Sequence, residues 1–129
     1  GAGTMDKAIY GRGMAMRRTV LGDDYVDRAI ANTTDFDRQF QEQLTEHAWG
    51  AVWGDAALKP RDRGILNLGM IASLGKCTVE AHFRGALRNG VTEAEPSAIL
   101  RQIAIYWGFP AAVDAHRVAK KVLAEQAEP

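Results

Sequence analysis

Apolar residues recur along this chain every three or four positions, the period of a helix, and sustained alternation of β-branched and aromatic residues is missing. The pattern predicts an all-α domain. Met5 to Leu21 reads as a first helix, weakened by Gly11 and Gly13 and stopped at Leu21-Gly22. Asp23 or Asp24 is placed to cap a second helix, in which Tyr25, Val26, Ala29 and Ile30 keep helical spacing up to Asn32. Thr34 with Asp37 three residues on resembles a capping arrangement, and Phe36, Phe40 and Leu44 then follow as one apolar stripe. Residues 51–58, short and glycine-bearing, read as an irregular connection next to Trp49 and containing Trp53.

Pro60 suits the first turn of the next helix, which runs to Leu74 and is apolar nearly all round beyond Gly64. Such a helix is expected to be buried on every side, partly against a neighbouring subunit. A short helix over 77–90 starts behind Gly75, carries His82 and stops at Asn89-Gly90. Thr92 and Glu95 have the spacing of a capping box, and Ile99, Ile103 and Tyr106 follow on one face. Residues 106–110, Tyr-Trp-Gly-Phe-Pro, break the chain before a last helix from about Ala111 to Ala124.

Composition narrows the function. A chain of 129 residues is one domain, able to hold a core but small to enclose a substrate alone, which favours a homo-oligomer. Sixteen basic residues balance sixteen acidic ones, with no basic stripe, so neither nucleic acid nor a membrane surface is an expected partner. No apolar run reaches the roughly 18–20 residues of a membrane span and no signal-peptide pattern opens the chain, so a cytoplasmic protein is expected. Gly1–Thr4, ahead of Met5, reads as an expression remnant, and residues 5–129 as the single domain. Cys77 has no partner for a disulfide, and three scattered histidines with one thiol give no zinc spacing. Near a helix start, Cys77 is either an inert buried thiol or one with a lowered pKa.

His82 is the first candidate for chemistry. At about 100° per residue, Thr78, Ala86 and Asn89 share its face, while Glu80 lies about 200° away and pairs more naturally with Arg84. His47 and His116, in helical contexts, read as structural or solvent-facing.

Several pieces in one order resemble a known family: Val20-Leu21-Gly22, Asp35-Phe36 with Phe40-Gln41, residues 48–53 (Ala-Trp-Gly-Ala-Val-Trp), Ser73-Leu74-Gly75, His82, residues 89–92 (Asn-Gly-Val-Thr), and residues 106–112. Together they are similar to the carboxymuconolactone decarboxylase family over about Arg17 to Val122, closest to its 4-carboxymuconolactone decarboxylase branch. The resemblance implies an alkylhydroperoxidase D-like bundle of about six to seven helices, assembled into trimers or hexamers with active sites near subunit interfaces. It also implies a cofactor-free carbon–carbon lyase of aromatic-compound catabolism, in the protocatechuate branch of the β-ketoadipate pathway, acting on a carboxylated lactone. The related dithiol peroxidases carry a Cys-x-x-Cys pair before the histidine; here those positions are Gly75 and Thr78, which argues against that activity. Thr78 also stands where the family has an acidic residue. Asp55 and Ala56 replace an arginine and a proline, and a glutamate is replaced near Ala98.

For such a reaction His82 is the candidate proton shuttle, since an imidazole titrates near working pH, and Arg63 the clamp for an anionic substrate, with Arg61 or Arg84 as substitutes and Glu80 as the third catalytic candidate. Trp49, Trp53 and Tyr106 are candidate apolar walls, joined by Thr78 and Cys77 in the substrate-contacting set. Two other readings stay open: a diverged isomerase or hydrolase using His82 and Glu80, and a non-catalytic oligomeric binding module.

Overall fold

In the computed structural model, which describes residues 5–75 and 79–127, Asp6 begins the first helix by accepting hydrogen bonds at Oδ1 from the amides of Ala8 and Ile9, at 3.0 and 3.1 Å. Helix α1 (Lys7–Leu21) ends where Gly22, at φ 92°, takes a left-handed conformation and donates its N–H to the carbonyl of Arg18. Gly22 also precedes α2 (Asp23–Ala31), so Asp23 and Asp24 occupy the first turn rather than the cap, where their charge complements the helix dipole. The Thr34–Asp37 link forms, the Asp37 carboxylate accepting the Thr34 amide at 2.7 Å, but α3 (Arg38–Gln43) starts only after it. Phe36, ahead of the helix, and Phe40, within it, are both exposed, and of the expected stripe Leu44 alone packs against the core.

From α3 the chain continues as a π-helix, Leu44–Val52, which takes in the first two residues of the expected irregular connection; residues 53–58 turn as expected. The wider backbone of the π-helix packs on α1 through two glycines. A Cβ on Gly13 would meet the Thr45 carbonyl at 2.0 Å, and one on Gly50 would meet the Ile9 carbonyl at 2.4 Å. Gly13 is therefore a contact point between backbones, not a weakness of α1. Val20, Trp49 and Trp53 form the core of this first unit, which ends at Lys59.

The second unit begins at Pro60 and holds α4 (Pro60–Leu74), α5 (Val79–Arg88), α6 (Ala94–Tyr106) and α7 (Phe109–Ala127). Leu68, Phe83, Leu100, Ile103 and Val122 are buried together at its centre. Within one chain, α4 is not covered all round: Leu66, Met70 and Leu74, spaced by four, leave an exposed apolar stripe. The capping-box contact forms, the Glu95 carboxylate accepting the Thr92 amide at 2.9 Å. Only Trp107 and Gly108 interrupt the helices, since Pro110 fits the first turn of α7, and α7 runs further at both ends than its sequence pattern suggests. Among the described residues there is no strand, and no helix is long and apolar enough to cross a membrane.

Candidate active site

Helices α4 and α5 form an antiparallel hairpin whose register is fixed at two points. The Arg61 Nε donates to the Gly90 carbonyl at 3.4 Å, and a Cβ on Gly64 would stand 3.6 Å from both Cα and Cβ of Ala86. Counting from these anchors, Arg63 stands level with Leu87, and His82 with Leu68. The two candidate residues are then offset by about five residues, or about 7.5 Å along the helix axes. Ala86 faces α4, and His82, one turn earlier, shares its stripe.

Both side chains belong to half-buried residues. Burial pulls the His82 pKa below 6.5, because a low-dielectric setting disfavours the imidazolium. The ring is therefore neutral at pH 7, yet its protonated form is a stronger acid than free imidazolium. Arg63 brings a permanent cation to the same hairpin.

The neighbouring charges are held elsewhere. Glu80 accepts hydrogen bonds from Lys121 at 2.9 Å and Arg84 at 2.8 Å, and these partners, Lys121 foremost, hold its carboxyl below the usual range. Since α5 is already helical at Val79, Glu80 leaves the helix about 200° from His82, so the two do not converge as the isomerase or hydrolase reading requires. Arg84 also binds Glu125 at 2.7 Å, and Arg61 is tied to Glu95 as well as to Gly90, so both expected substitutes for Arg63 are engaged in structural links.

Of the expected apolar walls, Trp49 and Trp53 are core residues of the first unit, 5% and 8% exposed, with ring centroids 4.9 Å apart and planes tilted by 34°. Tyr106 is exposed at the lip of a cleft of about 350 Å³ between α4 and α6. Ile65, Met70 and Ile103 give that cleft its apolar lining, and Ser73 and Gln102 its polar groups. Gln102 carries no sequence signal, being one polar residue on an amphipathic helix, whereas Ser73 stands inside the Ser73-Leu74-Gly75 motif. Cys77 and Thr78 lie outside the described residues. His47 and His116 are exposed, and no group of histidine, cysteine and acidic side chains fit to hold a metal occurs among the described residues.

His82 and Arg63 are thus carried by two helices packed on one another. The family model described as carboxymuconolactone decarboxylase matches residues 38–121, and the chain belongs to that family. It is 38% identical over 121 residues to a nitrosuccinic acid decarboxylase of Metarhizium robertsii, spanning 92% of this chain and 84% of the relative. It is 31% identical over 118 residues to a 4-carboxymuconolactone decarboxylase of Acinetobacter baylyi, spanning 91% and 88%. A 45-residue match at 49% identity links it to a Pseudomonas putida protein of the latter name, over 35% of this chain and 94% of that one.

Proposed function

We propose that the protein is a cofactor-independent decarboxylase acting on a small polycarboxylate whose departing carboxylate sits beside an electron-withdrawing group, such as a lactone or a nitro group. Family membership and the two decarboxylase relatives support the reaction type. The packing of α4 on α5 at Gly64–Ala86 and Arg61–Gly90, which by residue count offsets Arg63 from His82 by about 7.5 Å along the helix axes, supports the assignment of roles. It lets a substrate be held by one carboxylate at Arg63 while its reacting carbon lies near His82.

As the carbon–carboxylate bond breaks, carbon dioxide leaves and the electron pair moves onto the electron-withdrawing group as an enolate or nitronate. His82, protonated from solvent, delivers its proton to that carbanion equivalent and returns to the neutral state that burial favours. Each turnover consumes one proton, and because the electron pair of the broken bond stays on the substrate no redox partner is needed. A substrate anion beside the ring restores the imidazolium in the complex by charge attraction. Assembly into a homo-oligomer fits this reading, because the exposed Leu66, Met70 and Leu74 stripe on α4 runs along the same hairpin.

The test is carbon dioxide release by purified protein from carboxymuconolactone and from nitrosuccinic acid, beside His82→Ala and Arg63→Ala. We expect turnover of one substrate, a fall of at least about 100-fold in kcat for His82→Ala, and chiefly a raised KM for Arg63→Ala. Release no faster than the uncatalysed rate from both compounds refutes the function, and a fully active His82→Ala refutes the assigned proton donor.

A further inference from the structure

Arg17 is 95% enclosed, with 5% of its surface exposed, and its hydrogen bonds go to two neutral groups: Gln41 Oε1 at 3.2 Å and, weakly, Thr45 Oγ1 at 3.4 Å. Its Nε has no acceptor. A buried guanidinium without a balancing carboxylate is costly, since the charge loses its hydration and gains only partial hydrogen bonding. The same residue lines a cavity of about 270 Å³ within the first unit, beside Tyr10, Thr33, Gln41 and Thr45. Arg38 and Glu42 are the other charged residues there. Arg38 is ion-paired with Asp35 at 2.6 Å, and Glu42 makes no ion pair with Arg17. Burial lowers the Arg17 pKa, and the groups opposing that effect are Tyr25 and Tyr10, not a carboxylate.

We propose that this cavity is a carboxylate-binding site, in which Arg17 holds the terminal carboxylate of a small organic acid while Tyr10 offers a hydroxyl donor; the Thr33 hydroxyl already donates to the Ala29 carbonyl at 2.9 Å. A single negative charge balances Arg17, and the planar carboxylate matches the edge of the guanidinium. Glu42 disfavours two negative charges gathered on one group, as in hydrogen phosphate, whereas succinate carries its second charge on a separate carboxylate away from Arg17. The site lies wholly in the first unit and does not depend on the roles assigned to Arg63 and His82.

Succinate, acetate and inorganic phosphate serve as probes, titrated into ¹⁵N-labelled protein while the Arg17 Nε–H resonance is followed, with His82→Ala as the background so that turnover plays no part. Succinate and acetate are expected to shift that resonance saturably, with phosphate binding at least about tenfold more weakly. Arg17→Gln is expected to raise the succinate Kd about tenfold or more, and Tyr10→Phe to raise it by a smaller factor. An unmoved Arg17 resonance at saturating succinate overturns the proposal, as does a folded Arg17→Gln protein that binds succinate like its parent. Tighter binding of phosphate than of succinate overturns the carboxylate assignment. Should Arg17→Gln fail to fold, the resonance of the unsubstituted arginine still decides the matter.

Discussion

Gly64 and Ala86 bring α4 and α5 together: a Cβ on Gly64 would rest 3.6 Å from the Ala86 Cα and Cβ, an ordinary van der Waals contact with no room beyond it. Arg63 precedes Gly64 on α4, so a change in that spacing moves its backbone relative to the helix of His82. Gly64→Ala should fold with stability within about 1 kcal/mol of the parent, the helix propensity of alanine offsetting any small shift. Gly64→Leu forces the helices apart, at about 1–3 kcal/mol, and should lower kcat/KM about tenfold or more. Thermal unfolding and carbon dioxide release check both, and a fully active Gly64→Leu protein would disconnect this crossing from the site.

The lowered pKa of His82 gives activity and stability opposite pH trends. For kcat/KM, the free enzyme must carry the proton, so the rate should decline as pH rises through the folded pKa, which lies below 6.5. For stability, the unfolded chain binds a proton at 6.5 that the folded protein resists. The contribution of the neutral ring is therefore complete above 6.5 and lost progressively as pH falls from there to the folded pKa. His82→Asn should flatten both profiles in that window, as read by pH-rate measurements and denaturant titrations.

Two glycines of α1 should respond oppositely to alanine. Gly11 has open space where a Cβ would go, so Gly11→Ala should stabilise the protein by about 0.5–1 kcal/mol. Gly13→Ala places a methyl group 2.0 Å from a backbone carbonyl that cannot rotate away, and should cost about 1–3 kcal/mol or prevent folding. Melting temperatures of the two variants settle the contrast.

Glu80 should matter to the surface more than to the reaction. Its links to Lys121 and Arg84 are partly exposed, so Glu80→Gln should cost less than about 1 kcal/mol, a difference that shrinks in high salt. Because the folded carboxyl titrates below its usual value of 4.5, this small contribution is present above 4.5 and is lost as pH falls through the folded pKa. A loss of turnover as large as that of His82→Ala would instead make Glu80 part of the chemistry.

The sequence by itself determined the helices, their stops at Gly22 and Gly90, the Thr92–Glu95 link and the family, because these depend on local spacing and on motifs kept in order. It also separated Glu80 from His82, since within one helix direction follows from residue number alone. Position in sequence does not tell which polar residue tertiary packing will enclose. Arg17 and Arg18 are adjacent and alike in type, yet the first is buried beside a cavity and the second pairs with Asp23 and Asp27 at the surface. Nor does local pattern show that Gly13 is a crossing point, that Trp49 and Trp53 fill a core, or that Arg61 and Arg84 pair with Glu95 and Glu125. Those outcomes came only from the tertiary structure, because burial and ion pairing depend on groups brought close by packing between elements far apart in the chain.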